Sequence, residues 1–511
     1  MKASEIKLGA FLSYITVGLN SLVGILFTPF LIGTLGQVEY GLYQLIYSFA
    51  AYLIVLDFGI GNTATRFLVK YISKKDHKGA QNYTAMLVII GFVLSLCTFL
   101  ISLILFFNID LIFSNSLNHA QLNKAKILFI IMAANVSISL FQNSFNGIIT
   151  AYEKFIFTNS LKISRIVFRV AISVALLLMG FDSVALVLAD LFTVIASLVL
   201  DIIYYKSVIK VRIRLFKWEN SVFRQTFFFS AFIFLEVIVN QVNGNVDKMI
   251  LGVMTNTSIV AVYSIAMQIF IIYNSFSTAL STVFLPRATR LVVGGASEEE
   301  LTDFIAKPGR YQFMILGSAL SGFILFGREF ISLWVGKEFS GAWLPAVIVM
   351  VPTTVPLIQN VTLSVIKAKN KHYFRAVALA VIALCNVLLT VLMVNLFSYV
   401  GAAVSTAIAM VVGNIIILNI YYQRVIGLNI KRMFLSIFKG IFPCLLTAFV
   451  IGYFITFIPG SSWMIFMVRA LVFMAAYGVL LYKFGMNKIE KALISGTVRK
   501  IFVGVKEGAI K

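Results

Sequence analysis

Three basic residues, Lys162, Arg165 and Arg169, recur at spacings of three and four within a largely apolar stretch. On a helix that spacing puts them on one face. They then form a ladder roughly 10 Å long at 1.5 Å rise per residue. A guanidinium offers a planar fork of donors that matches phosphate oxygens, so the ladder suits an anion. Other basic residues stand where apolar stretches end: Arg66, Arg287 and Arg290 at one kind of end, Lys248 at the opposite kind. Carboxylates also lie in apolar stretches, among them Asp57, Asp190, Glu236 and Asp247. There a carboxylate is expected to bind a proton, a cation or an arginine partner. Each is thus a candidate ion-coupling group, and Asp247 also has Lys248 beside it as a possible counter-charge.

No covalent chemistry is expected. The sequence has no Walker A loop, no His–Cys cluster and no nucleophile elbow, so this chain is not read as an enzyme. Cys97, Cys385 and Cys444 all fall in apolar stretches and suggest neither a disulfide framework nor a metal site. No cofactor is implied, beyond a coupling ion that the sequence leaves open between H+ and Na+.

The elements that must carry these residues are apolar stretches about as long as a bilayer core is thick. Hydrophobic residues make up 60% of the 511 and charged ones only 12%, too few for the surface of a soluble protein of this size. Fourteen spans are predicted, near 10–32, 41–66, 83–106, 124–151, 162–180, 183–205, 224–249, 257–284, 311–333, 343–366, 374–396, 400–423, 435–457 and 464–483. The class is an all-α integral membrane protein. Lysine and arginine crowd every second connection, as in Lys70–Lys78, Lys206–Lys217 and Lys367–Lys371, while stretches such as 107–123 and 397–399 have none. Loops that retain positive charge stay in the cytoplasm, so both termini are expected there. The net charge of +22 then reflects topology and anionic headgroups, and needs no nucleic acid.

A weak internal repeat is visible. Ile32-Gly33 followed by Tyr43 resembles Leu251-Gly252 followed by Tyr263, and Ala64-Thr65-Arg66 returns as Ala288-Thr289-Arg290. The halves are six spans apart, so they share an orientation, and a site is expected between them. The expected domains are a six-helix lobe over 1–215, a second over 216–430, and two extra helices with a basic tail over 431–511.

Thr28-Pro29-Phe30-Leu31-Ile32-Gly33-Thr34-Leu35-Gly36, then Tyr40-Gly41-Leu42-Tyr43, resembles the first-span signature of Wzx-type bacterial polysaccharide flippases. Leu56-Asp57-Phe58-Gly59-Ile60-Gly61-Asn62 continues it, and Asp247-Lys248-Met249-Ile250-Leu251-Gly252 with Val262-Tyr263-Ser264 resembles the start of the second half. Gly401-Ala402-Ala403-Val404-Ser405-Thr406-Ala407 resembles the small-residue start of span twelve. The resemblance implies a fold like that of multidrug-and-toxin extruders, with two six-helix lobes in a V plus two extra helices. It implies movement of undecaprenyl-pyrophosphate-linked oligosaccharide from the inner to the outer leaflet of a bacterial plasma (inner) membrane, by alternating access and often with an ion gradient. The product would be a surface polysaccharide, O-antigen or capsule. A polysaccharide polymerase and glycosyltransferases are the implied partners, and a monomer is the simplest form. Two alternatives stand beside this. A cation-coupled multidrug-type exporter would be expected to present an acidic lumen. A lipid II flippase would concentrate arginines in the first two spans, whereas no basic residue lies between Lys7 and Arg66.

Overall fold

The computed structural model describes the backbone of residues 3–371 and 373–492; side chains at a few positions inside helices, Glu236 among them, also lie outside the described residues. The described elements are all helical. In chain order they are α1 (Ala3–Ala51), α2 (Ile60–Ser73), α3 (His77–Phe107), α4 (Ile109–Phe113), α5 (His119–Ala151), α6 (Phe155–Leu178), α7 (Val184–Tyr204), α8 (Asn220–Met254), α9 (Thr257–Val293), α10 (Glu298–Trp334), α11 (Trp343–Ile358), α12 (Thr362–Ala368), α13 (Tyr373–Met410), α14 (Leu418–Tyr421), α15 (Ile430–Phe438), α16 (Ile441–Ile455) and α17 (Trp463–Leu480). Among the described residues, nine helical stretches are long and apolar enough to cross a membrane, or up to ten if the bent pair α15–α16 is one span. The chain is thus a multi-pass membrane protein.

Several long helices contain sharp breaks. In α1 the backbone leaves the helical region at Gly36 (φ 72°, ψ 171°), a conformation that glycine adopts at little cost. In α13 the break is at Ser398 (φ 52°, ψ −135°). There the arms on either side approach closely, since a Cβ on Gly401 would lie 2.0 Å from the Met393 carbonyl oxygen. The span predicted as continuous over 41–66 is interrupted. A tight 3-10 turn covers Tyr52–Asp57, and Phe58 (φ 49°) and Gly59 (φ 65°) are left-handed before α2 begins. Asp57 is the last residue of that turn. The pair α15–α16 bends by 46° at Gly440, which has a positive φ of 76°.

The chain divides into two compact units. Unit 1 is Met1–Gln268 with Ala376–Thr406, and unit 2 is Ile269–Arg375 with Ala407–Lys511. In unit 1, α5 packs against α2, α3 and α7. The approach of α5 to α2 depends on small residues: a Cβ on Gly147 would lie 2.7 Å from the Gly61 carbonyl oxygen and 2.8 Å from the Ala64 Cβ. Close backbone approach of this kind is a main source of helix association in lipid, where apolar side chains gain little by leaving the solvent. Beside it Leu68, Tyr83, Leu87, Phe145, Ile148 and Tyr205 form a buried cluster.

In unit 2, α10 packs against α11, α15, α16 and α17, and a buried arginine serves each end of this packing. Arg310 donates from Nε to Glu490 at 2.8 Å and from Nη1 to the carbonyls of Ser436 (2.6 Å) and Lys439 (2.9 Å). Those carbonyls are left without helical partners by the α15–α16 break. At the other end Arg469 pairs with Glu329 and donates to the Ile458 and Gly460 carbonyls.

Candidate functional site

The anion ladder of the sequence lies on α6, in unit 1. Lys162 is exposed, while Arg165 and Arg169 are partly buried. Arg165 and Arg169 line a cavity of about 410 Å3 with Tyr47 from α1, Asn135, Ser139 and Asn143 from α5, and Asp190 from α7. The Arg165 guanidinium, with the amides and hydroxyls beside it, can hold an anion in a setting where lipid could not.

Arg169 donates from Nε to Asp190 Oδ1 at 2.7 Å and from Nη2 to the Tyr43 hydroxyl at 3.5 Å. Asp190 is therefore an arginine partner. Arg165 forms no hydrogen bond or ion pair among the described residues, although Asp190 and Asp201 lie within its electrostatic reach. Asn143, which lines the cavity, donates from Nδ2 to Asp57 Oδ1 at 3.3 Å.

The neighbour of Asn143 on α5 carries a second such bond. Gln142 Nε2 donates to Asp201 Oδ2 at 2.9 Å. Asp201 is fully buried, and its Oδ1 has no hydrogen-bond partner. Sequence reading passed over Asp201 because it falls near the end of a span, where a carboxylate reads as a boundary residue.

Asp247, on α8, lies in a different part of unit 1. It accepts from the hydroxyls of Tyr263 (2.6 Å), Thr406 (2.8 Å) and Thr390 (3.1 Å). Thr390 also shares a 2.6 Å hydrogen bond with Ser405. Lys248 is buried at 8% exposure, and among the described residues no ion pair joins it to Asp247. Tyr263 is on α9, while Thr390 and Thr406 lie on α13 on either side of its break, so the small-residue stretch after Gly401 positions part of this cage.

Arg66, Arg287 and Arg290 are not among the residues that line the cavity. Arg66 is exposed on α2. Arg287 and Arg290 are exposed on α9 in unit 2, and the Arg287 guanidinium lies 5.9 Å from the centre of the Phe304 ring. The side chain of Glu236 lies outside the described residues.

The chain is similar to several known proteins. A curated relative, "Probable low-salt glycan biosynthesis flippase Agl15" from Haloferax volcanii, is 21% identical over 240 residues. The match covers 46% of this chain, and the chain spans about half the length of that relative, 49%. Among solved structures, lipid II flippase MurJ in an inward closed conformation superposes with a TM-score of 0.72 at 16% identity, over 93% of this chain and 97% of that one. An inward-facing multidrug resistance MATE family transporter of the MOP superfamily gives 0.60 at 16% identity, over 79% and 98%. A MOP superfamily transporter from Pyrococcus furiosus gives 0.57 at 16% identity, over 84% and 96%. At these identities the likeness is one of fold. Residues 7–292 match the model of the family described as polysaccharide biosynthesis protein, more than half of the 511 residues, and the chain belongs to that family.

Proposed function

We propose that the protein is a flippase for lipid-linked oligosaccharide, moving undecaprenyl-pyrophosphate-linked repeat units from the inner to the outer leaflet of a bacterial plasma membrane for surface polysaccharide synthesis. The observation that carries this reading is the Arg165–Arg169 cavity in a chain of this family. A pyrophosphate and a set of sugar hydroxyls cannot cross hydrocarbon cheaply, and a cavity lined by guanidinium groups, amides and hydroxyls lowers that cost. The polyprenyl chain needs no such help and can stay in lipid. With the loops rich in lysine and arginine in the cytoplasm, both termini lie there too. Counting the α1 and α13 breaks as turns between passes, the α15–α16 pair as one pass, and α6 and α8 as passes beside the nine apolar stretches supports fourteen crossings. The pairing of α7 carboxylate with α6 arginine leaves Asp57 and the hydroxyl-caged Asp247 as the better placed coupling-ion candidates, with transport by alternating access.

A cation exporter on the same fold is disfavoured by the arginines, which would repel an organic cation. The test is replacement of the cavity arginines. Arg165→Ala and Arg169→Ala are expected to remove surface polysaccharide at native expression while the protein still inserts. Normal polymer in both variants would refute the reading.

A further inference from the structure

The two halves share more than their signature motifs. One and the same shift along the chain carries Gln142 to Gln359, Asn143 to Asn360, Phe157 to Phe374, Tyr204 to Tyr421 and Lys210 to Gly427. These positions are also equivalent in structure. Phe157 stacks on Tyr204 as Phe374 stacks on Tyr421. Each tyrosine is followed by a wide π turn, Tyr205–Ile209 or Tyr422–Ile426, and each turn is ended by a left-handed residue, Lys210 or Gly427. Asn143 donates to Asp57 as Asn360 donates to Ser277, at 3.3 and 3.2 Å. Gln142 donates to Asp201 as Gln359 donates to Asn419, at 2.9 and 2.8 Å, between residues 59 and 60 apart in sequence.

The second half therefore makes the same buried bond with a neutral partner. Its Asn419 is satisfied further, donating to the Ile415 carbonyl at 2.9 Å. An amide suffices for the structural task, so the carboxylate of Asp201 is not required by the packing. Its charge is costly where it stands, because a buried ion with an unpartnered oxygen has lost its hydration without replacement.

The groups around Asp201 are few. The helix α5 contributes only neutral Gln142. The helix α6 contributes Lys162 and Arg165, both within electrostatic reach of Asp201. On its own helix Asp190 lies about three turns away and is paired with Arg169. On the π turn that follows, Tyr205 donates to the Val211 carbonyl and Lys206 is exposed. Arg165 is thus the cation that stands between the cavity and Asp201. One guanidinium cannot neutralise an anion in the cavity and Asp201 at once.

We propose that Asp201 is a proton-binding site linked to anion binding: an anion that engages Arg165 in the cavity leaves Asp201 with only the exposed, solvent-screened Lys162 as counter-charge, and a proton from solvent adds to its Oδ1. No other bond forms or breaks. When the anion leaves, the charge of Arg165 again favours the ionised carboxylate and the proton is expelled. This deepens the flippase reading and rests on its anion cavity.

The test uses the full chain in detergent micelles with inorganic pyrophosphate as the probe. Calorimetry in buffers of differing ionisation enthalpy counts the protons taken up on binding, for wild type and Asp201→Asn. Pyrophosphate's own protonation is common to both, so the difference belongs to the protein. Wild type is expected to take up roughly one more proton than the variant, and its affinity, relative to the variant's, to fall by up to ~10-fold per pH unit as pH rises. Asp201→Asn is expected to fold, since it copies the Gln359–Asn419 bond, and to keep its affinity within a few-fold at acid pH. Infrared difference spectra of wild type provide a readout independent of the variant: a protonated carboxyl band should grow on adding pyrophosphate. Equal proton counts, or no such band, would overturn the proton site and leave the anion cavity standing. Failure of wild type to bind pyrophosphate at all would overturn both.

Discussion

Single charges in an apolar setting are the easiest residues to read from sequence and the most telling in structure. Arg165 and Arg169 stand out because, with Lys162, they put three basic groups at helical spacing in an apolar stretch, and both arginines line one cavity. Gln142 gave no such signal. A neutral amide in a span is unremarkable until its partner is known, and its partner, Asp201, is distant in sequence. The roles of Arg310 and Arg469 are hidden in the same way: the carbonyls they bind, at the α15–α16 break and in the connection from α16 to α17, become their partners only in the folded chain. The Asp247 cage gives a prediction at this scale. Tyr263 donates to the buried carboxylate at 2.6 Å, and hydrogen bonds to charged groups contribute about 1.5–3 kcal/mol. Tyr263→Phe keeps the ring and removes the donor, so it should destabilise the protein by about 2 kcal/mol. Thermal unfolding in detergent would show this as a lower Tm, and an unchanged Tm would remove the hydroxyl from any stabilising role.

At the scale of elements, apolar length predicted where helices run but not where they break. Nothing in the composition of 41–66 announces the 3-10 turn at Tyr52–Asp57, because the apolar pattern continues through it. The left-handed Phe58 carries no sequence signature either. The glycine-containing motifs were legible as motifs, and their physical reason emerges only from packing. A Cβ on Gly41 would lie 1.9 Å from the Thr257 carbonyl oxygen and 2.6 Å from its carbonyl carbon. The obstacle is backbone, which cannot swing aside as a side chain would. Gly41→Ala is therefore expected to force α1 away from the start of α9 at a cost of roughly 1–3 kcal/mol or more. The measurement is the yield of monodisperse protein beside a Gly18→Ala control, where a Cβ meets nothing within 4 Å. Equal yields would mean that the close approach is not needed.

At the scale of the whole molecule, the sequence showed a polytopic protein with an internal repeat, and three-residue matches were enough to set its order. They were too short to reveal that the repeat extends to individual hydrogen bonds, which differ in charge between the halves. The anchoring of α15, α16 and α17 to α10 was also hidden. Burial pushes the Glu490 carboxyl up, but hydrogen bonds from Arg310 and from the Asn487 N–H outweigh it and hold the group below its ordinary 4.5. A carboxylate so depressed stabilises the folded state fully above the unfolded value and loses that effect as pH falls through the lower, folded one. Protease access to residues 486–492 is thus expected to stay low until pH drops below about 4.5, and to be raised already at neutral pH in Glu490→Gln. Equal protection of variant and wild type at neutral pH would show that Arg310 holds this segment without the carboxylate.

The Arg310 cluster also bears on how the chain matures. A ribosome delivers α10 long before it delivers Ser436, Lys439 and Glu490. Until those last groups emerge, a guanidinium at the membrane surface has to wait with only water and headgroups for company. Packing around α10 is accordingly completed from the far end of unit 2, and a nascent polypeptide halted before that point leaves Arg310 without these protein partners.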